Sequence, residues 1–339
     1  MSSGAVEELI ARVPQWEGLE LDVRPLHGGI TNRNFVVRAN GREFVVRLPG
    51  ERTELLGIDR ANEAEAARRA AELGIGPPVL GDLPQVGTLI TAYMPGRHLT
   101  DDEFAARLDE VVPLLKRLHD SGPLHGAFPI HRVVEWHTRD ATAHGVMPPS
   151  AYERLHQQSR RIERAFQANP MAPVPCHNDL LPGNVLFGDD ADSDGARVWL
   201  LDFEYAGMND VFFDLGNLSV NAGLSPDAEE ELLRLYFGTV SHAHLARLAL
   251  MKVMSEFREG MWAVVQQAIS TLGDAAHPYM EGHPPIAGAL RLLEKGDNDF
   301  ARAYKLSQVC SDALVPLLVR VTGDLCRVAL AEESTGTPG

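Results

Sequence analysis

Cys176-His177-Asn178-Asp179-Leu180-Leu181-Pro182-Gly183-Asn184, followed by Trp199-Leu200-Leu201-Asp202-Phe203-Glu204, is the stretch on which this sequence turns. Asp179 and Asn184 share one loop, and a second carboxylate, Asp202, ends the next apolar run. Phosphoryl transfer from ATP requires a carboxylate to accept the nucleophile's proton and hard oxygen ligands to hold Mg²⁺ against the phosphates. A His-x-Asp-x-x-x-x-Asn loop with an Asp after the following strand supplies that set. Asp179 is then the candidate catalytic base, and Asn184 and Asp202 are the candidate Mg²⁺ ligands. Pro182-Gly183 bends the chain so that Asn184 returns towards the metal, and Leu200-Leu201 anchors Asp202 in the core. Each half alone also suits a polar turn or a strand-end carboxylate. Together and in this order they point to phosphoryl transfer.

Upstream, such a site needs a glycine-containing turn over the phosphates, a cation on the third strand and a glutamate on the next helix to hold that cation. Extended runs are read at Leu19 to Leu26, Phe35 to Arg38, Glu43 to Leu48 and Thr88 to Met94, with an alanine-rich helix from Ala61 to Leu73. Asn40-Gly41 between two apolar runs signals a hairpin, because both turn residues need positive φ. Period-two alternation places Phe44, Val46 and Leu48 on one face and Val45 and Arg47 on the other. Gly28-Gly29-Ile30-Thr31-Asn32 is the candidate phosphate turn, with Gly28, Gly29, Thr31 and Asn32 as its binding residues. Lysine occurs only at 116, 252, 295 and 305, so the strand cation has to be arginine. Arg47 is placed to fork the α- and β-phosphates, with Val45 packing on the adenine. Its partner is Glu63 or Glu65, with Glu63 preferred. Tyr93, at the end of the Thr88 run, joins the nucleotide-binding set.

From Thr100 the pattern turns helical. Thr100 and Glu103 form a capping box opening a helix towards His119 with a kink at Pro113, and a proline-punctuated stretch follows to Ser150. Helices are read up to Phe166, from Ser225-Pro226, over His242 to Leu272 and over Phe300 to Leu330, and short strands at Val185 to Phe187 and Val198 to Leu201 flank an acidic turn at Gly188 to Gly195. The expected fold is α+β and bilobal, like a protein kinase: a β-rich nucleotide-binding lobe over 1–95, a helical lobe over 96–332 with the catalytic loop and acceptor pocket, and a tail over 333–339.

The remaining composition narrows function. The chain has 339 residues, 45% hydrophobic and 23% charged, enough for about two folding units. Its net charge of −16 repels phosphate backbones and anionic lipid, which argues against nucleic-acid binding. Cys176, Cys310 and Cys326 suit neither a disulfide framework nor a metal site, and Cys176 reads as a small buried apolar residue. No secretory leader and no spanning apolar run is visible, so a cytoplasmic protein without membrane insertion is expected. The histidines at 119, 125, 131, 137 and 144 match no metal-ligand template and read as surface or loop residues. No Gly-Lys-Ser/Thr occurs, which excludes a P-loop enzyme. No Ala-Pro-Glu follows Asp202 and Glu204 stands where Asp-Phe-Gly has glycine, which favours a small-molecule over a protein acceptor.

His177 to Asn184 and Asp202-Phe203-Glu204-Tyr205-Ala206-Gly207 resemble the motifs of the choline/ethanolamine kinase branch of the aminoglycoside phosphotransferase-like kinases. Further similarity lies in His27 to Asn32, Val46-Arg47-Leu48-Pro49-Gly50, Ile58-Asp59-Arg60, Phe213-Asp214-Leu215-Gly216-Asn217 and Gly260-Met261-Trp262, so that about residues 20 to 272 are covered. The resemblance implies ATP and Mg²⁺ as cofactors and a small cationic hydroxyl-bearing substrate, an amino alcohol such as ethanolamine or choline. It assigns Glu204, Glu259 and Trp262 to the acceptor and a structural role to Asp214. Glu259 stands where the branch's choline binders carry tryptophan, and Asn221 where they carry an acid, which favours a primary amine over choline. An aminoglycoside or amino-sugar phosphotransferase is the alternative enzyme, and a catalytically silent nucleotide-binding regulatory module is the alternative of another class.

Overall fold

A computed structural model describes residues 10, 13–26, 31–50, 52–148, 152–188 and 198–272. The Gly28-Gly29 turn, most of the acidic turn before Gly195, the Phe300 to Leu330 periodicity, Cys310, Cys326 and the tail lie outside the described residues. The first part is a five-stranded antiparallel sheet of β1 (Leu21–Leu26), β2 (Asn32–Ala39), β3 (Arg42–Pro49), β4 (Val79–Leu83) and β5 (Thr88–Ala92), in the order β1-β2-β3-β5-β4. Asn40 and Gly41 both take positive φ, 50° and 76°, and close the β2–β3 hairpin with Ala39 opposite Arg42. Phe44, Val46 and Leu48 pack with Val37, Ile90 and Trp16 in a small core. Val45 and Arg47, on the opposite face, look towards the rest of the molecule. The edge strand β4 escaped the sequence reading because Gly81-Asp82 interrupts any apolar alternation.

Helix α1 (Arg60–Glu72) starts where the Asp59 carboxylate caps it by accepting from Ala61 N at 2.9 Å. The buried apolar residues of α1 are all alanine, Ala64, Ala66, Ala67 and Ala70, beside the buried Asn62 and Glu63. The helix expected to run unbroken from Thr100 is instead two, α2 (Asp101–Ala105) and α3 (Leu108–His119). The break falls at Arg107, whose φ of −123° is not helical and whose guanidinium reaches forward to Glu110 in the first turn of α3. Pro113 lies inside α3.

The stretch read as a proline-punctuated connection contains a helix, α4 (Ile130–Ala143), with prolines only at its borders. Its buried positions, Ile130, Val133, Val134, His137 and Ala141, have helical spacing that a histidine in the apolar stripe disguises. His119 and His137 are correspondingly buried rather than on the surface. Helix α5 (Tyr152–Ala168) leads to β6 (Val174–Cys176), β7 (Val185–Phe187), β8 (Val198–Leu200) and β9 (Gly207–Asn209), which form two small antiparallel pairs, β6 with β9 and β7 with β8. Helices α6 (Val211–Asn221), α7 (Pro226–Phe237) and α8 (His242–Leu272) complete the larger part, α7 starting with Ser225 as cap and Pro226 in its first turn. No helix among the described residues is long and apolar enough to cross a membrane.

Helices α6 and α8 cross at Gly216, where a Cβ would come within 2.9 Å of Lys252 N and 3.0 Å of the Met251 carbonyl carbon. Backbone cannot yield there as a side-chain tip would. Gly216→Ala is expected to destabilise the fold by about 1–3 kcal/mol, the usual cost of overpacking. A urea unfolding curve with an unmoved midpoint would show that the crossing has room to spare.

Candidate active site

The loop after β6 is held by the first turns of α6. The buried Asp214 carboxylate, in the first turn of α6, accepts from His177 N at 2.8 Å and Asn178 N at 2.7 Å, and from His119 Nε2 at 3.0 Å. One turn on, Asn217 Oδ1 accepts from Leu180 N at 2.5 Å, and its Nδ2 donates to Ser255 Oγ at 3.0 Å. Residues three apart share a helix face, so one turn of α6 grips both sides of Asp179. Asn178 takes a left-handed φ of 63°, fixed by its amide donating to Tyr205 O and accepting from Asn209 Nδ2. His177 Nε2 lies 2.8 Å from Leu201 O, which makes it the protonated nitrogen and ties the loop to the residue before Asp202. Burial lowers the His177 pKa, so the ring stays neutral. Cys176 is fully buried, and burial pushes its thiol up.

Asn184 Nδ2 donates to Asp179 O at 2.9 Å and Asp179 Oδ2 at 3.2 Å. The amide is thereby oriented with its oxygen left over for a cation. Asp202 also takes a left-handed φ of 63°. Its Oδ1 lies 2.7 Å from Arg47 Nη1 as an ion pair, yet is buried with no hydrogen-bond donor aligned on it. A carboxylate and an amide oxygen are the kind of oxygen donors that a hard divalent cation takes, so the residue types present fit Mg²⁺.

Arg47 Nη1 also donates to Glu63 Oε1 at 2.5 Å, and Glu63 Oε2 accepts from Arg60 Nη1 at 2.7 Å. Glu65 lies elsewhere, accepting from His125. Burial opposes the charge on Arg47, but Asp202 and Glu63 outweigh it and hold the guanidinium above its usual pKa. Arg47, Val45, Tyr93 and Asp202 line a cavity of about 260 Å³ together with Leu186 and Leu201. Thr31 and Asn32 are turned away from that cavity. They donate to Glu204 Oε1 and Oε2, each at 2.8 Å, and Arg60 Nη2 donates to Asn32 Oδ1 at 2.9 Å. Glu204 is thus a clasp between the start of β2 and the Asp202 segment. Burial raises its carboxyl to about 7, with Asp202 adding to the rise and Arg47 opposing it.

On the other side of Asp179, Glu259 and Trp262 are both buried on α8, and Trp262 Nε1 donates to Tyr205 Oη at 2.8 Å. Arg258 was not singled out by the sequence. It is 1% exposed, donates from Nη1 to Asp179 Oδ1 at 3.1 Å and to Glu259 Oε1, and stacks 4.4 Å from the Tyr205 ring centre. Burial drives the Asp179 carboxyl well above the carboxylate range, and Arg258 opposes that drive. A signal for Arg258 was present: it stands four residues from Met254 and from Trp262, inside the apolar stripe of α8.

Residues 22–250 match the family described as APH, Phosphotransferase enzyme family. The chain belongs to that family. This phosphotransferase is 28% identical over 228 residues to the protein LicA of Haemophilus influenzae, a match that takes in 64% of this chain and 63% of LicA. To ethanolamine kinase 2 of Mus musculus it is 27% identical over 299 residues, 79% of this chain and 76% of that one. A solved choline/ethanolamine kinase family protein from Mesorhizobium loti superposes with a TM-score of 0.70 at 27% identity, covering 98% of this phosphotransferase and all of that chain (100%).

The brace on the catalytic loop is testable in this phosphotransferase. Asp214→Asn replaces an acceptor of three N–H groups with an amide that brings donors of its own. An unmet buried donor costs about 1–3 kcal/mol, so thermal stability should fall by that amount and turnover should fall with it. Unchanged melting and turnover together would mean that the loop holds its shape without the carboxylate.

Proposed function

We propose that this phosphotransferase moves the γ-phosphoryl group of ATP to the hydroxyl of a small amino alcohol of the ethanolamine/choline type, with Mg²⁺ as cofactor. One observation carries the reading: Asn184 Nδ2 donates to Asp179 within one braced loop, Asp202 lies close enough to act on the Asp179 carboxyl, and Asp202 lines the cavity together with Arg47 and Val45. A silent nucleotide-binding module would not need all three. The relatives named ethanolamine kinase and choline/ethanolamine kinase support the acceptor class.

In this reading Asp179 Oδ2 accepts the acceptor's hydroxyl proton while Oδ1 is held by Arg258. Bound Mg²⁺ would supply charge neutralisation at the transferring phosphoryl, held by the Asn184 amide oxygen and the Asp202 carboxylate. Arg47 contacts the α- and β-phosphates, with Glu63 holding its Nη1. Val45 and Tyr93 face the adenine. Glu259 and Trp262 belong to the acceptor side, where a carboxylate with only one aromatic face serves a primary ammonium better than a trimethylated one. Glu204, from its contacts, shapes the site by positioning the phosphate turn.

Asp179→Asn is expected to keep ATP binding by calorimetry while turnover drops about 10²–10⁴-fold, the usual worth of a positioned base. Near-normal turnover with chemistry rate-limiting would remove Asp179 from that role. The acceptor class is tested by an ATP-consumption screen across ethanolamine, its mono-, di- and trimethylated forms and several aminoglycosides. Ethanolamine is expected to be the best of them, and turnover of aminoglycosides alone would overturn the amino-alcohol reading.

A further inference from the structure

Arg258 occupies a place that the chemistry of its surroundings would offer to a free cation. Two carboxylates, Asp179 and Glu259, take its Nη1, and two aromatic faces, Tyr205 at 4.4 Å and Phe128 at 5.8 Å, lie against its guanidinium carbon. Carboxylates combined with aromatic faces are what holds an ammonium or methylated ammonium ion. Here that surrounding is filled from within, by a side chain tethered to α8 and 1% exposed. A second observation concerns the donors Arg258 does not use. Its Nε and Nη2 are buried and have no hydrogen-bond partner. Buried donors left idle are uncommon, and these lie on the guanidinium that touches the candidate base.

We propose that Arg258 is the acceptor-specificity residue of this phosphotransferase: as a built-in cation it fills the aromatic and carboxylate box beside Asp179, bars a quaternary ammonium from it, and offers Nε–H and Nη2–H to an oxygen of the acceptor. This rests on the amino-alcohol reading and narrows it to acceptors that bring an oxygen, rather than a methylated nitrogen, to the face of Tyr205. Trimethylation is then a penalty because the box is full: the like charge of Arg258 bears equally on a primary and a quaternary ammonium, but only the latter needs that volume.

Two measurements test this, one of them independent of turnover. Tetramethylammonium chloride, titrated calorimetrically into the full chain, should give no saturable heat with the native protein, whereas Arg258→Ala should bind it at least about tenfold more tightly, the scale of a desolvated cation–π contact. Equal titrations, including no heat from either protein, overturn the proposal. Because Arg258→Ala leaves two buried carboxylates without a cation and could fail to fold, Arg258→Gln and Arg258→Lys are run beside it. The ratio of kcat/KM for choline over ethanolamine should rise about tenfold or more in Arg258→Gln and stay close to native in Arg258→Lys. A ratio that is the same in all three proteins, or that moves equally with lysine and glutamine, would show Arg258 to be only structural. If no form turns over any amino alcohol, the functional reading falls, and the tetramethylammonium titration still decides the role of Arg258.

Discussion

The Asp214 carboxylate, accepting the backbone N–H groups of His177 and Asn178 and the ring of His119, is the interaction on which the rest of the site depends. A loop that must turn Asp179 into a cleft cannot satisfy its own backbone donors in a sheet or a helix. Left unmet, each would cost about as much as a lost hydrogen bond. Asp214 and Asn217, one helical turn apart, meet three of them at once, and Ser255 of α8 in turn holds Asn217. The closeness of α6 to α8 that this requires exists only because residue 216 has no side chain. With the loop fixed in this way, Asn178 and Asp202 are kept in left-handed backbone that costs a non-glycine residue roughly 1 kcal/mol or more.

Charge is handled by arginine throughout. Arg47 lies between Glu63 and Asp202, Arg60 joins Glu63 to Asn32, and Arg258 joins Asp179 to Glu259. A planar guanidinium can serve two acids at fixed angles, whereas a lysine ammonium is a single hydrated point. A buried ion pair is weak support for stability, because desolvation offsets most of the Coulomb attraction. These pairs are better understood as setting positions: they decide which carboxylate oxygen is engaged and which is left over. After that pairing the Nε and Nη2 of Arg258 are left without a hydrogen-bond partner.

The signals that were readable are local ones. Asn40-Gly41 announced a hairpin because two positive φ angles in succession suit few residue types, and the alternation from Phe44 to Leu48 placed Arg47 opposite the small core. Asp179, Asn184 and Asp202 stood out as candidates because phosphoryl transfer restricts the residue types and their spacing to a narrow choice. Helix α4 was hidden by His137 in its apolar stripe, and the break at Arg107 was hidden by the more conspicuous Pro113. Both errors came from giving one residue's usual preference more weight than its surroundings.

Sequence alone indicated the α+β fold and named the candidate groups of the proposed chemistry: an acid for the proton, an amide and an acid for a metal, and an arginine where no lysine was available. Those are properties of residue type and short-range spacing, and they survive without coordinates. Tertiary structure alone decided which groups are spent and which are free. It brought Glu204, 173 positions from Thr31, into a clasp on the start of β2, and Arg258, 79 positions from Asp179, against the candidate base. The physical reason is that hydrogen bonds and ion pairs between distant segments depend on how helices and strands pack, and packing is settled by the whole core at once rather than by any stretch of chain.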